Sequence, residues 1–403
     1  MVSAASGYVV ILIAARTLTP ADNAEFLSFW ALLFFVFGTL GGLQNEFTRA
    51  ASASNRYEYA TTRGGTRAVP AGLLIGLVAA AIAAVTGPLW APVISPAHPV
   101  AATIVVAVGA VLFAGHASVA GVLAGRRSWT AYSWVVAGEA TWRLALVALA
   151  ALTGLGLVGL ETAAGAGAGA WLVLLAWRQV RQTVRARFPE PPSVMARHVG
   201  QAMVAAASSA ALMVGFPALL RGTTPADVFA GAAPLLLAIS MTRAPLLMPL
   251  NAFQGVAISH FLAHRERGLV PLFKICMLVA AVGCVGGLLA WVVGPWLMVA
   301  LFGASYHVAG LVLAALTFDS ALLGALTITG AATLALGLHR TYAWGWFGAT
   351  GVSLVVLLLP LPLTDRVLTS LALGPVIGIL VHALVLRREL RRGPAEVAGA
   401  LPT

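Results

Sequence analysis

The chain has 403 residues, of which 60% are hydrophobic and 9% charged, with a net charge of +11 and a mean hydropathy of +0.94. A soluble domain carries roughly 25% charged residues, so this chain has too little polar surface to face water. That excludes a soluble enzyme and predicts an all-α polytopic membrane protein of about twelve transmembrane helices.

Apolar runs of about 17–25 residues suit helices that cross a hydrocarbon core of roughly 30 Å. In chain order they fall at 2–18, 24–45, 68–89, 99–124, 129–153 and 157–177, then at 199–220, 228–250, 269–301, 305–337, 341–360 and 367–386. No basic residue precedes the first run, so it reads as an ordinary span rather than a signal peptide; its abrupt start leaves room for a few residues upstream. Pro245 and Pro249 predict a local kink in the eighth span. The ninth and tenth are long enough to be tilted, kinked or extended past the bilayer. Cys276 and Cys284 stand eight positions apart on one helix, about 12 Å, too far for a disulfide. They read as small apolar fillers.

Basic residues resist translocation and set orientation. Arg49, Arg56, Arg63 and Arg67 occupy the 2–3 loop, and Arg126 and Arg127 the 4–5 loop. Arg178, Arg181, Arg185, Arg187 and Arg197 lie between spans six and seven. With Arg265, Arg267, Lys274, Arg340 and the tail arginines 387, 388, 391 and 392, that places 19 of 24 basic residues on one side. Only Arg16, Arg221 and Arg366 fall opposite, while Arg143 and Arg243 are inside spans. Both termini are thereby predicted to be cytoplasmic, in a bacterial plasma membrane. The single lysine against 23 arginines, with abundant Ala and Gly, suggests a high-GC genome. The positive charge suits anionic phospholipids and requires no nucleic-acid partner.

Two segments repeat 205 positions apart: Arg16-Thr-Leu-Thr-Pro-Ala-Asp22 and Arg221-Gly-Thr-Thr-Pro-Ala-Asp227. The spans that follow carry Asn45-Glu-Phe47 and Asn251-Ala-Phe253. Ala124-Gly-Arg-Arg127 before Trp129 is echoed by Leu336-Gly-Leu-His-Arg340 before Tyr342. The expected organisation is six plus six helices in two lobes: 1–178, a basic linker at 179–198, 199–388, and a tail at 389–403.

The stretch Ala14–Asp22, with the apolar run ending Gly42-Leu-Gln-Asn-Glu-Phe-Thr-Arg49, resembles the opening hairpin of Wzx-type polysaccharide flippases. Leu301-Phe-Gly-Ala-Ser-Tyr306 with Ala309 is similar to their Phe-Gly-x-x-Tyr-x-x-Ala element, and Leu334-Ala-Leu-Gly337 fits the end of their tenth span. The family's Gly-x-Tyr (or Phe) after the acidic turn is replaced by Asp22-Asn-Ala-Glu-Phe26. The resemblance implies the MATE-like flippase superfamily, with two six-helix lobes around a central cavity and alternating access. It also implies a lipid-linked oligosaccharide as cargo.

Ionisable groups at membrane depth are functional candidates. Glu139 and Arg143 are four apart and share a helix face. They either lock helices together or present Arg143 to an anionic head group. Arg243 in span eight needs a partner from elsewhere. Asp319 in span ten is the protein candidate for a bridge; alternatively Arg243 lines the cavity and Asp319 takes up a coupling proton. His116 and His382 are expected to be ordinary hydrogen-bonded histidines, although His116 has a pKa range suited to coupling. Gln44, Asn45 and Arg49 on span two, and Asn251 and Gln254 on span eight, suit sugar hydroxyls and a phosphate, or else cap helices at the interface. Gly165 and Gly169 make a small-residue packing face with Gly167 between them. Trp30, Trp134 and Trp142 are deep enough to meet a sugar or a lipid.

No Walker A sequence is present, nor the loop pattern of major facilitator transporters, nor room for a soluble catalytic domain. An enzyme is not expected, and no cofactor is implied beyond coupling to H+ or Na+. The reading is a flippase for a polyprenyl-phosphate-linked oligosaccharide or glycolipid, acting beside cell-envelope glycosyltransferases. The alternatives are a cation-coupled small-molecule or multidrug exporter and a non-transporting scaffold for envelope synthesis.

Overall fold

The computed structural model describes residues 2–54 and 65–391, without the side chains of residues 2–4, 54, 248, 251, 252, 254, 257 and 265. Helices stand at all twelve expected positions. They are α1 (Val2–Thr17), α2 (Pro20–Ser54), α3 (Ala68–Ile94), α4 (Pro99–Gly125), α5 (Trp129–Leu152) and α6 (Gly156–Leu174), followed by α7a (Pro192–Met213) with α7b (Phe216–Gly222). Then come α8 (Ala233–Ala263), α9 (Val270–Phe302), α10 (Gly310–Ala335), α11 (His339–Leu357) and α12 (Leu363–Arg391). Eight of the described helices are long and apolar enough to cross a membrane, and the bent α7a–α7b pair makes nine. The fold is that of an all-α polytopic membrane protein.

The starts of these helices follow from local sequence. Pro20 opens α2, where its missing N–H costs nothing. Thr19 Oγ1 accepts a hydrogen bond from the Asp22 N–H at 3.2 Å and donates to the Asp22 carboxylate at 2.7 Å, so this repeated motif is a helix cap. Its second copy opens the short helix Ala226–Phe229, again with an acidic residue, Asp227, in the first turn. Arg16 and Arg221 each stand in the last turn of the preceding helix, where the dipole favours a cation. At the end of α9, Gly303 adopts φ +108°, a backbone region that L side chains rarely enter.

Three elements depart from the sequence expectation. The seventh span is not one helix, because α7a and α7b meet at a 71° bend. Pro217, the second residue of α7b, cannot donate to the Met213 carbonyl, and in a straight helix its ring would collide with it. The sixth span is interrupted by a 3-10 turn at Gly167–Gly169. The second runs nine residues past its expected end, to Ser54, so Gln44, Asn45 and Arg49 lie inside a helix and cap nothing.

Contacts group the chain into two compact units, Met1–Ala233 and Pro234–Thr403. The packing boundary falls after the seventh span, whereas the sequence places it at the 179–198 linker. The reason is that α7a lies along α2. In the first unit α4 packs on α2 and α3. A Cβ on Gly121 would approach the Gln44 carbonyl to 2.7 Å, and one on Gly125 the Thr48 carbonyl to 2.5 Å, so this i, i+4 glycine pair sets how closely α4 crosses α2. Gly165 plays the same part toward Val105. The linker adds a two-strand ladder, β1 (Thr66–Arg67) antiparallel to β2 (Arg187–Phe188). In the second unit α10 packs against α9, α11 and α12. Helix α3, and α9 beyond Lys274, are apolar all round, and Val85 and Leu89 are 80% and 79% exposed. Such a surface suits lipid rather than water.

Candidate functional site

The first unit holds a charge cluster where α2 meets the linker. Arg49 Nε donates to Glu46 Oε2 at 2.9 Å and Arg49 Nη2 donates to Glu190 Oε1 at 2.9 Å. His198 Nδ1, on α7a, stands 3.3 Å from Glu190 Oε2 and 3.6 Å from Glu46 Oε1. Glu46, Glu190 and His198 offer donors within 4.8 Å of one another, a separation compatible with a metal ion. The Arg49 guanidinium reaches all three, so the triad already holds a cation. Gln44 Nε2 is 3.5 Å from the Tyr132 hydroxyl, and Asn45 is exposed.

Deeper in the same unit, Arg143 pairs with Glu139 one turn earlier on α5 and donates from Nε to the Ala164 carbonyl of α6 at 3.2 Å. Its guanidinium carbon lies 4.7 Å from the Phe34 ring centre and 5.9 Å from those of Trp30 and Phe37. These rings form a ladder: Trp30 stacks on Phe34, and Phe37 stacks on Phe113 of α4, which contacts His116. Arg143 is 6% exposed. The geometry therefore ties α5 to α2 and α6 through an ion pair, a hydrogen bond and cation–π contacts. Gly167 lies against the Arg143 stem, which a Cβ there would meet at 2.5 Å. His116 differs from expectation, since its buried Nδ1 makes no hydrogen bond. His382 fits, with Nδ1 3.1 Å from Thr329 Oγ1 and Nε2 3.3 Å from the Tyr342 carbonyl. Trp134 and Trp142 are exposed on α5.

In the second unit, Arg243 of α8 and Asp319 of α10 line one small cavity with Thr242, Ser320 and Leu371. Both side chains are buried. The cavity measures about 10 Å³, room for about one water. The two residues singled out as a potential bridge are thus brought together, in a space too small for cargo. Asn251 and Gln254 fall within α8, but their side chains lie outside the described residues, as do the 2–3 loop positions Arg56 and Arg63, the tail position Arg392 and the side chain of Arg265.

One buried acid escaped the sequence reading. Glu161 of α6 is 1% exposed, and neither carboxylate oxygen has a hydrogen-bond partner. The charge acting on it is the like charge of Glu25 of α2, whose own buried Oε1 also has no hydrogen-bond partner. Their neighbours Phe26 and Leu160 share one apolar cluster. The signal was available, because Glu161 is an ionisable residue inside an apolar run. It stands near the start of that run and reads as a loop acid until its burial is seen.

Two apolar grooves complete the first unit. One, of about 400 Å³, is lined by Leu32 and Phe35 of α2, Leu89 and Trp90 of α3, and Gly215 and Leu219 around the break in the seventh span. The other, of about 450 Å³, lies between α5 and α6. Both fall in the range of about 300–1,000 Å³ typical of ligand sites. The first is lined by residues around the 71° bend of the seventh span, and discontinuous spans are a common feature of transporter binding sites.

No protein-family model matches the chain. Two Mycobacterium tuberculosis (strain ATCC 25618 / H37Rv) proteins are similar along nearly its whole length. The uncharacterized protein Rv3630 is 36% identical over 388 residues, covering 96% of this chain and 90% of that protein. The uncharacterized protein Rv1510 is 38% identical over 385 residues, covering 95% and 88%. Among solved structures, the lipid II flippase MurJ in its inward closed conformation matches with a TM-score of 0.68 at 11% identity, over 97% of this chain and 89% of MurJ. An inward-facing multidrug resistance MATE family transporter of the MOP superfamily matches at 0.65 and 12% identity, over 97% and 96%. The MATE multidrug transporter DinF-BH matches at 0.64 and 14%, over 96% and 92%. At these identities the likeness is one of fold.

Proposed function

We propose that this chain, which belongs to one family with the Mycobacterium tuberculosis proteins Rv3630 and Rv1510, is a plasma-membrane flippase. Its cargo is a polyprenyl-phosphate-linked oligosaccharide or glycolipid, carried from the cytoplasmic to the outer leaflet by alternating access. The observation that supports this most is the MurJ-like fold of a chain whose first unit carries an arginine-rich end and, toward the opposite end of α3, an apolar groove of about 400 Å³. A lipid phosphate needs cations at the interface and its tail needs hydrocarbon; a small cation needs neither. In this reading the termini are cytoplasmic, and Gln44, Asn45 and Arg49 meet the incoming head group. Arg143 with Glu139 fixes the unit that carries the groove, and envelope glycosyltransferases supply the cargo.

The driving force is an H+ or Na+ gradient. Glu161 joins Asp319, Glu139 and His116 as a candidate coupling group, because a buried carboxylate facing a like charge needs a proton or a cation to be stable. A second reading, multidrug export, draws on the MATE multidrug structures among the fold relatives.

The test is reconstitution into liposomes with a labelled lipid-linked sugar. Movement between leaflets above protein-free vesicles is expected, without efflux of organic cations. Efflux with no lipid movement would replace this reading by the second.

A further inference from the structure

The β1–β2 ladder sets two exposed arginines directly opposite one another. Its register pairs Thr66 with Phe188 and Arg67 with Arg187. Directly opposed residues in an antiparallel pair project to the same face, and successive residues to opposite faces. Thr66 and Phe188 are 3% and 2% exposed, and Phe188 meets the Phe47 ring edge-on at 5.1 Å. That inward anchoring forces Arg67 and Arg187 together onto the outer face, where both are exposed. Like charges directly opposite one another destabilise a strand pair.

Glu58, the acid nearest Arg67 in sequence, lies outside the described residues; among the described residues, the acids beside the ladder are already engaged. The Glu190 carboxylate is taken by Arg49 and His198, and Glu46 by Arg49. The Glu190 carbonyl accepts from both the Thr66 N–H and the Thr66 hydroxyl, which fixes the ladder in place. Among the described residues neither Arg67 nor Arg187 forms an ion pair. Arg67 is also the N-cap residue of the 27-residue α3 and makes no side-chain capping bond. The positive end of that helix dipole therefore adds to the two guanidinium charges.

We propose that Arg67 and Arg187 form a two-arginine clamp for the phosphate of a membrane lipid. Planar guanidinium groups match phosphate oxygens bidentately, and an anion between them removes the cross-strand repulsion. The chemistry is shared by an anionic phospholipid head group and by a polyprenyl carrier phosphate. The second source rests on the flippase reading and the first does not.

The clamp is tested on the full chain in phosphatidylcholine nanodiscs, probed separately with phosphatidylglycerol and undecaprenyl phosphate by native mass spectrometry. Wild type is expected to hold at least one of the two lipids. R67A/R187A should weaken that binding by about tenfold or more, and R67K/R187K should fall between. R187E should also lose binding while its thermal stability stays equal or rises, because the repulsion is gone. A role confined to folding would lower stability instead. Loss of phosphatidylglycerol alone assigns the clamp to bilayer lipid, and loss of undecaprenyl phosphate alone assigns it to carrier. Unchanged binding of both lipids in R67A/R187A overturns the proposal. Absent lipid movement in liposomes with this binding intact would end the flippase reading and leave the clamp standing.

Discussion

At the scale of single residues, the buried charges divide by whether a partner is at hand. Arg143 has its partner on the same helix and a bed of aromatic rings beneath it. Removing only the arginine strands Glu139 in a site of low polarity, which typically costs about 3–5 kcal/mol. R143A should therefore melt far below wild type in detergent, while R143M/E139L should recover most of the loss. Equal melting of the single and double variants would mean that the pair contributes no such coupling. Glu161 is the opposite case, a buried acid without a hydrogen bond. E161Q should leave folding and lipid binding intact and abolish the response of transport to an imposed H+ or Na+ gradient; an undiminished response would remove it from coupling. The pair Glu139–Arg143 was legible because its spacing is local. Glu161 was not, since its significance lies in Glu25, 136 positions away, and in the closeness of α2 and α6. The Arg49 cluster was half legible, as Glu46 is three positions off but Glu190 and His198 arrive through tertiary folding.

Among the helices, span positions were readable from hydropathy because each is a long apolar run, and all twelve are helical. What the runs conceal is continuity. The break before α7b comes from one proline inside an unbroken apolar stretch, and hydropathy averages over it. P217A restores the missing N–H and should straighten the span. Spin labels at Gly200 and Thr223, in a background lacking Cys276 and Cys284, should then separate toward the straight-helix distance of about 35 Å; wild type should read shorter. Identical distance distributions would place the cause of the bend elsewhere. The crossing of α4 over α2 depends on glycines in the same unadvertised way. G121L or G125L drives a side chain into a backbone carbonyl of α2 and should lower the melting temperature clearly, overpacking costing typically about 1–3 kcal/mol. Leucine is the better helix former, so a rise in melting temperature would contradict this account of the crossing.

For the whole molecule, composition alone sufficed to identify a membrane protein, and the fold agrees with MATE transporters and with MurJ. The repeat at Arg16 and Arg221 marks equivalent helix ends but not the packing boundary, which falls at 233/234 because α7a lies along α2. A repeat records sequence correspondence, and packing is decided by which apolar faces meet. The central claim, that this fold moves a lipid-borne phosphate, is tested most directly by following a fluorescent polyprenyl-phosphate-linked sugar in proteoliposomes with a membrane-impermeant quencher. The account predicts that quencher-accessible signal grows faster than in protein-free vesicles. It also predicts that an imposed H+ or Na+ gradient speeds the process. A rate equal to that of empty vesicles, with folded protein present and either gradient applied, would contradict it.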